Sequence, residues 1–318
     1  MHIRMSGNVV RGLVALSLAA LGAAGLATGA DAAPAPTAHA AAPHLGMKPI
    51  AKGSVRVAAK ASSSNTLTVR SAGTQGVVSP TPQVYLVFWG SQWASDPAGV
   101  APDLQAMFKG LYGSADTWGT ILTQYCEGVA KGTATCGSGG THITHPATSP
   151  LAGVWFDNAS AEPSSPTAAQ IASEAGKAAA HFGNTTQTPN LNAQYVVVSA
   201  TGTHPDGFPN SGFCAWHDKT SSSYGNLAYT NLPYVPDLGV DACTTLTDGR
   251  MLSGIESTET HEYAETVTDF WPSIGWNGRN GEVGDECENM DAFVPLSTGS
   301  FDLQGLWSNK ANACVTKG

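Results

Sequence analysis

Two runs of apolar, strand-forming residues set the strongest limit on how this chain can fold. Gln83 to Trp89 (QVYLVFW) and Tyr195 to Ala200 (YVVVSA) are of strand length and apolar almost throughout. A strand with apolar residues on both sides must be covered on both, so each run is predicted to lie inside a sheet. Helical spacing falls between them. Val100 to Tyr112 places Leu104, Met107, Phe108 and Leu111 on one face, Ala115 to Tyr125 has a similar pattern, and Pro166 to Phe182 is Ala-rich with proline near its first turn. Gly153 to Phe156 and Leu227 to Tyr234 add further strands. The alternation predicts an α/β fold: a single layered domain with a mostly buried mixed sheet flanked by helices.

The N-terminus reads differently. Arg4 and Arg11 precede an apolar run from Leu13 to Ala27, then Ala30-Asp31-Ala32. These are the parts of a signal peptide, expected over residues 1–32. The run is shorter than the roughly 20 residues needed to cross a bilayer, so no stable membrane insertion is expected. Residues 33–80 are rich in Ala, Pro, Ser, Thr and Gly with scattered Lys and Arg. They are expected to form a disordered basic linker or a propeptide. The secreted domain is then expected over residues 81–318.

Six cysteines follow the leader, an even number that in an exported chain points to disulfides. Local closure would pair Cys126 with Cys136, Cys214 with Cys243, and Cys287 with Cys314; no Cys-x-x-Cys supports a thiolate metal site. Charge is uneven. Residues 71–318 hold 8 basic and 23 acidic side chains, a formal charge of −15. Such a domain repels nucleic acid, and its carboxylates suit hard cations.

The segment that carries chemistry is Ser253 to Cys287. Ser253-x-x-Glu256 has the form of a capping box that starts a helix, and Trp271-Pro272 is expected to end it. Within it His261 and Glu265 are four apart and share a face, with Glu262 beside them. A His-Glu-x-x-His helix binds zinc through positions i and i+4, while the Glu at i+1 takes a proton from the metal-bound water. Here Glu265 stands in place of the second histidine, which widens the candidate metals beyond zinc to calcium, magnesium and manganese. The helix carries Glu256, Glu259, Glu262, Glu265 and Asp269 with few basic residues to offset them, so the band asks for a cation or for solvent. The Gly-punctuated loop from Gly278 to Cys287 offers Glu282, and as second choice Asp285, as a third ligand. Arg279 in the same loop could offset surplus charge. His204, after the second buried run, and His217, near Cys214, are possible further ligands or substrate contacts. No Gly-x-Ser-x-Gly elbow is present, and no pair of acids is fixed at a glycosidase separation.

Two segments carry a resemblance. Val84 to Trp93 (VYLVFWGSQW), and Gln194 to Ala200 with Gly212-Phe213-Cys214 and His217, resemble the plant exordium (phosphate-induced) family. That likeness implies a secreted, non-catalytic extracellular role. The stretch His261-Glu262-x-x-Glu265-x-x-Thr268-Asp269, with Gly281-Glu282-x-Gly284-Asp285, is similar to bacterial secreted zinc metallopeptidases of zincin type. This second likeness implies a secreted monomer that cleaves peptide or protein substrates, with Glu262 as general base and zinc as cofactor. The alternative is a cell-wall protein of exordium type with structural calcium.

Overall fold

The computed structural model describes residues 65–318 except Asn289. In chain order the first elements are β1 (Thr68–Val69), β2 (Gln83–Trp89), α1 (Val100–Gly110), β3 (Cys126–Glu127), β4 (Thr141–His142) and β5 (Leu151–Asp157). Then come α2 (Ala168–His181), β6 (Ala193–Ser199), β7 (Trp216–Ser222), β8 (Gly225–Leu232) and α3 (Ser253–Thr268). The chain ends with β9 (Trp276–Asn277), β10 (Asp291–Leu296), β11 (Gly299–Gln304), β12 (Leu306–Ser308) and β13 (Ala313–Val315).

The two apolar runs are β2 and β6, and they pair in parallel at the heart of a five-stranded sheet ordered β5-β2-β6-β8-β7. Only β7 is antiparallel, as the partner of β8 in an edge hairpin. Successive side chains of a strand point to opposite faces. Val84, Leu86, Phe88, Val196 and Val198 therefore join the core that contains residues of α1 and α3. Tyr85, Val87, Trp89, Tyr195 and Val197 pack with Ile171, Ala175, Ala178 and Ala179 of α2. Helices cover both faces, which is why neither strand shows polar alternation. The α/β class is as expected, and the three disulfides close locally: Cys126–Cys136, Cys214–Cys243 and Cys287–Cys314. No helix among the described residues is long and apolar enough to cross a membrane.

Several expectations change. The packed chain starts well before residue 81: Leu67, Val69, Val77 and Val78 are fully buried, and Val69 pairs with Trp276. Four apolar anchors among small polar residues suffice, because the backbone is held as well. Ser79 N–H donates to Val267 O, Phe270 N–H to Val77 O and Trp271 N–H to Gly76 O. Gly76 has φ +76°, and a Cβ there would sit inside the Trp271 ring. The signal-peptide expectation, and the linker up to residue 64, lie outside the described residues. The helix expected over 115–125 shrinks to a 3-10 turn, Gly119–Gln124. Asp116 causes this, since its carboxylate accepts the N–H groups of Tyr112 and Gly119 and holds a turn instead.

Helix α3 differs most. All sixteen of its residues are buried, so its acids are not a solvated face. It lies between the β7–β8 side of the sheet and the β10–β11 ribbon. The capping box does not form. Leu252 takes the cap position, Ser253 Oγ donates to Asp248, and Glu256 accepts from Arg250 and from the Asp302 N–H. The helix stops at Thr268, ahead of the Trp271-Pro272 break. Asp269 caps the turn by accepting from the N–H groups of Ser273, Ile274 and Gly275.

The first turn of α3 is acidic and enclosed. Burial, then Glu256, pushes Asp103 up to about 7; burial, then Asp291, pushes Asp302 up to about 8. Both carboxyls hold a proton more tightly folded than unfolded. Between about pH 4 and about pH 8 the folded state therefore binds more protons, and stability falls as pH rises through that window. Differential scanning calorimetry should show a lower Tm at pH 8 than at pH 5. Asp302→Asn should flatten the slope, and an unchanged slope would contradict this assignment.

Candidate metal centre

Three separate stretches of chain bring five side chains together: His217 from β7, His261 and Glu265 from α3, and Glu282 and Asp285 from the loop that follows β9. The helix supplies its pair by spacing alone, since i and i+4 lie one above the other. His217 is the second residue of β7. Trp216 before it points into the α2-side core, so His217 faces α3.

His261 shows what the site is built to hold. Its Nδ1 lies 3.0 Å from Gln304 Oε1. The Gln304 amide is oriented by its own Nε2, which donates to Gly284 O at 2.9 Å. The oxygen therefore faces His261, and Nδ1 must carry the proton and donate it. In the neutral ring, Nε2 is then a bare lone pair. It lies 3.1 Å from Glu265 Oε2 and 3.8 Å from Asp285 Oδ1, with no hydrogen bond to either. Glu265 Oε1 accepts the Asp285 N–H at 2.9 Å, which leaves Oε2 without a hydrogen-bond partner. With a neutral ring, two electron-rich atoms would face each other in a fully buried space. A proton or a cation between them removes the conflict. A second shell that fixes the tautomer of a histidine is the usual support of a metal ligand.

The donor separations, 3.1 to 3.8 Å, bracket those of a coordinated ion. Bonds of about 2.0–2.2 Å to a tetrahedral Zn²⁺ place donors about 3.3–3.6 Å apart. Beside the two His261 separations, His217 Nε2 lies 3.2 Å from Glu282 Oε2 and 3.6 Å from Glu265 Oε2. Gly284 permits the approach of the loop, because a Cβ there would fall 2.7 Å from His261 Nδ1 and 3.0 Å from Glu265 Oε1.

The electrostatics ask for positive charge. Glu265 is pushed well up by burial and then by Asp285; Glu282 by burial and then by Asp269 and Asp285; Glu259 by burial and then by Glu262. Burial opposes a charged His261, yet Glu265, Glu262 and Asp285 outweigh it and hold its pKa well above the ordinary value. Among the described residues, the ion-pair partners of Glu265, Glu282 and Asp285 are histidines alone.

The sequence-derived candidates separate cleanly. His261, Glu265, Glu282, Asp285 and His217 converge, and the His261 triad takes Asp285 rather than the preferred Glu282. Glu262 is fully buried beside them and influences both His261 and Glu282. His204 is an exposed turn residue after β6 and joins neither ligand group; Arg279 is exposed as well. Gln304 went unrecognised because nothing around a glutamine at the end of a strand marks it in sequence.

Removing the Gln304 amide should free the His261 ring. Gln304→Leu is expected to weaken metal affinity by about 10- to 100-fold, measured by competition with a chelator. Unchanged affinity would remove Gln304 from the site. No family model, curated protein or solved structure matches this chain.

Proposed function

We propose that this protein is an exported metal-dependent hydrolase, with zinc as the metal and peptide bonds as the substrate. The observation that carries the reading is His261 Nε2, held 3.1 Å from the unpartnered Glu265 Oε2 with Asp285 beside them, while Gln304 engages the other ring nitrogen. A mixed nitrogen and oxygen donor set of this kind suits Zn²⁺. A zinc ion there would polarise a carbonyl and bring the pKa of water toward neutrality.

The residues of the chain do the rest. Glu262 follows His261 directly and lies near both it and Glu282. It accepts the proton of the attacking water at a carboxylate oxygen and delivers it to the departing amine. Glu259, one turn earlier, is buried with neither oxygen hydrogen-bonded and is coupled electrostatically to Glu262. Asp285, with its side chain 8% exposed, is the least enclosed of the five, so substrate would approach from its side. The leader sequence and the three disulfides support an extracellular setting. The net negative charge argues against a nucleic-acid substrate.

One observation favours a second reading, in which the same carboxylates hold structural calcium in a non-catalytic protein of exordium type. His217, His261, Glu265 and Glu282 are all nearly sealed from solvent, and structural metal sites are closed.

Elemental analysis of the dialysed mature protein separates the two readings. On the hydrolase reading zinc co-purifies, His261→Ala loses metal and activity together, and Glu262→Gln keeps metal but loses activity against an unfolded protein substrate. Calcium alone, held equally by His261→Ala, would defeat it. Glu262→Gln with full activity would remove the general base.

A further inference from the structure

The hydrolase reading uses His261, Glu265 and Asp285, and leaves His217 and Glu282 without a task. Neither behaves as ordinary core. His217 is 5% exposed and Glu282 3% exposed; they meet in a hydrogen bond between His217 Nε2 and Glu282 Oε2 at 3.2 Å, while Glu282 Oε1 and His217 Nδ1 have no partner. The donors fall into two triads, His261–Glu265–Asp285 and His217–Glu265–Glu282, with the atoms of each within 4.8 Å of one another. Each histidine pairs with a different loop carboxylate, and the triads share only Glu265. Its Oε2 lies 3.1 Å from His261 Nε2 and 3.6 Å from His217 Nε2.

We propose that the site holds two divalent cations bridged by Glu265, one on each triad. The proposal rests on the metal reading of the His261 triad and extends it. Each centre would have one imidazole nitrogen and two carboxylates, so coordination positions remain for water and substrate. Two ions about 3.5–4 Å apart form the clamp found in co-catalytic hydrolytic sites. Charge points the same way. Glu259, Glu265, Glu282 and Asp285 have no lysine or arginine ion pair among the described residues. Once ionised, these four acids in one enclosed region carry more negative charge than a single divalent ion offsets. The loop is cut for the task, since Glu282 and Asp285, three residues apart, serve opposite centres while Gly284 lets the backbone pass against the helix.

The test is metal stoichiometry on the mature protein, stripped by chelation, reloaded with Zn²⁺ and desalted. Two equivalents are expected in the wild type, one in His217→Ala, one in His261→Ala, and fewer than one in Glu265→Gln. One equivalent in the wild type, kept by His217→Ala and lost in His261→Ala, would overturn the second ion and leave the hydrolase reading standing. One equivalent lost in both histidine variants would mean a single shared ion and would also overturn the proposal. No zinc in the wild type would remove both readings. Electron paramagnetic resonance of Mn²⁺-loaded wild type needs no variant to fold: a spin-coupled pair supports two bridged ions, and an isolated six-line signal overturns them.

Discussion

Everything in this fold is arranged around the enclosure of a polar helix. Helix α3 carries four glutamates and a histidine in its sixteen residues, with Asp269 at its end, and all are buried. Taking unpaired carboxylates out of water is strongly unfavourable unless something compensates them. Compensation is graded along the helix. At the start, Glu256 has the Arg250 guanidinium and the Asp302 N–H. At the end, Asp269 accepts from three backbone N–H groups and from Asn277 Nδ2. In the middle, Glu259 has no hydrogen bond and Glu265 leaves one oxygen unused, with histidines as the nearest counter-groups. The protein satisfies its own acids at both ends and leaves oxygens of Glu259 and Glu265 in the central turns without a hydrogen bond.

The surrounding layers explain how such a helix can be held at all. Its apolar residues, Ile255, Tyr263, Ala264 and Val267, belong to the same core as β2, β6 and α1. Tyr263 also donates a hydrogen bond to the Tyr112 hydroxyl, 2.8 Å away. On another side, β11 covers the helix and supplies Asp302 and Gln304, both fully buried. The sheet contributes β7, an edge strand whose inward position opposite Thr230 is His217. A site assembled in this way is rigid, because its members stand on strands and a helix and only Glu282 and Asp285 come from a loop.

The parts legible in the sequence were those whose signal is local. The β2 and β6 runs declared a doubly covered sheet, α2 declared itself by an Ala-rich stretch with a proline before it, and the disulfides followed from short separations. His261 and Glu265 were legible because helical spacing turns sequence distance into spatial contact. The burial of α3 was not legible: a helix polar on every face looks solvated until the β10–β11 ribbon is known to lie over it. The Ser253-x-x-Glu256 pattern misled because Asp248, Arg250 and Asp302 compete for those same side chains. The early start of the packed chain was hidden by composition, since Leu67, Val69, Val77 and Val78 are few among small polar residues yet each is fully buried.

His217 and Gln304 belong to a different class, since their roles come from chain closure over long separations. The donor segments lie around residues 217, 261–265, 282–285 and 304, and no local preference holds them in register. Two of the three disulfides sit against these segments. Cys214 is three residues before His217, and its bond to Cys243 closes the β7–β8 hairpin toward the approach to α3. Cys287 is two residues after Asp285, and its bond to Cys314 ties the ligand loop to the C-terminal ribbon of β12 and β13. Closing such loops in advance lowers the entropy lost when the segments meet. Enclosing Glu265, Glu282 and Asp285 together is costly even with two histidines beside them, so the geometry must be held by more than their mutual attraction. The cross-links and the covered sheet provide that hold, which is why a group of side chains this unfavourable on its own can persist inside the domain.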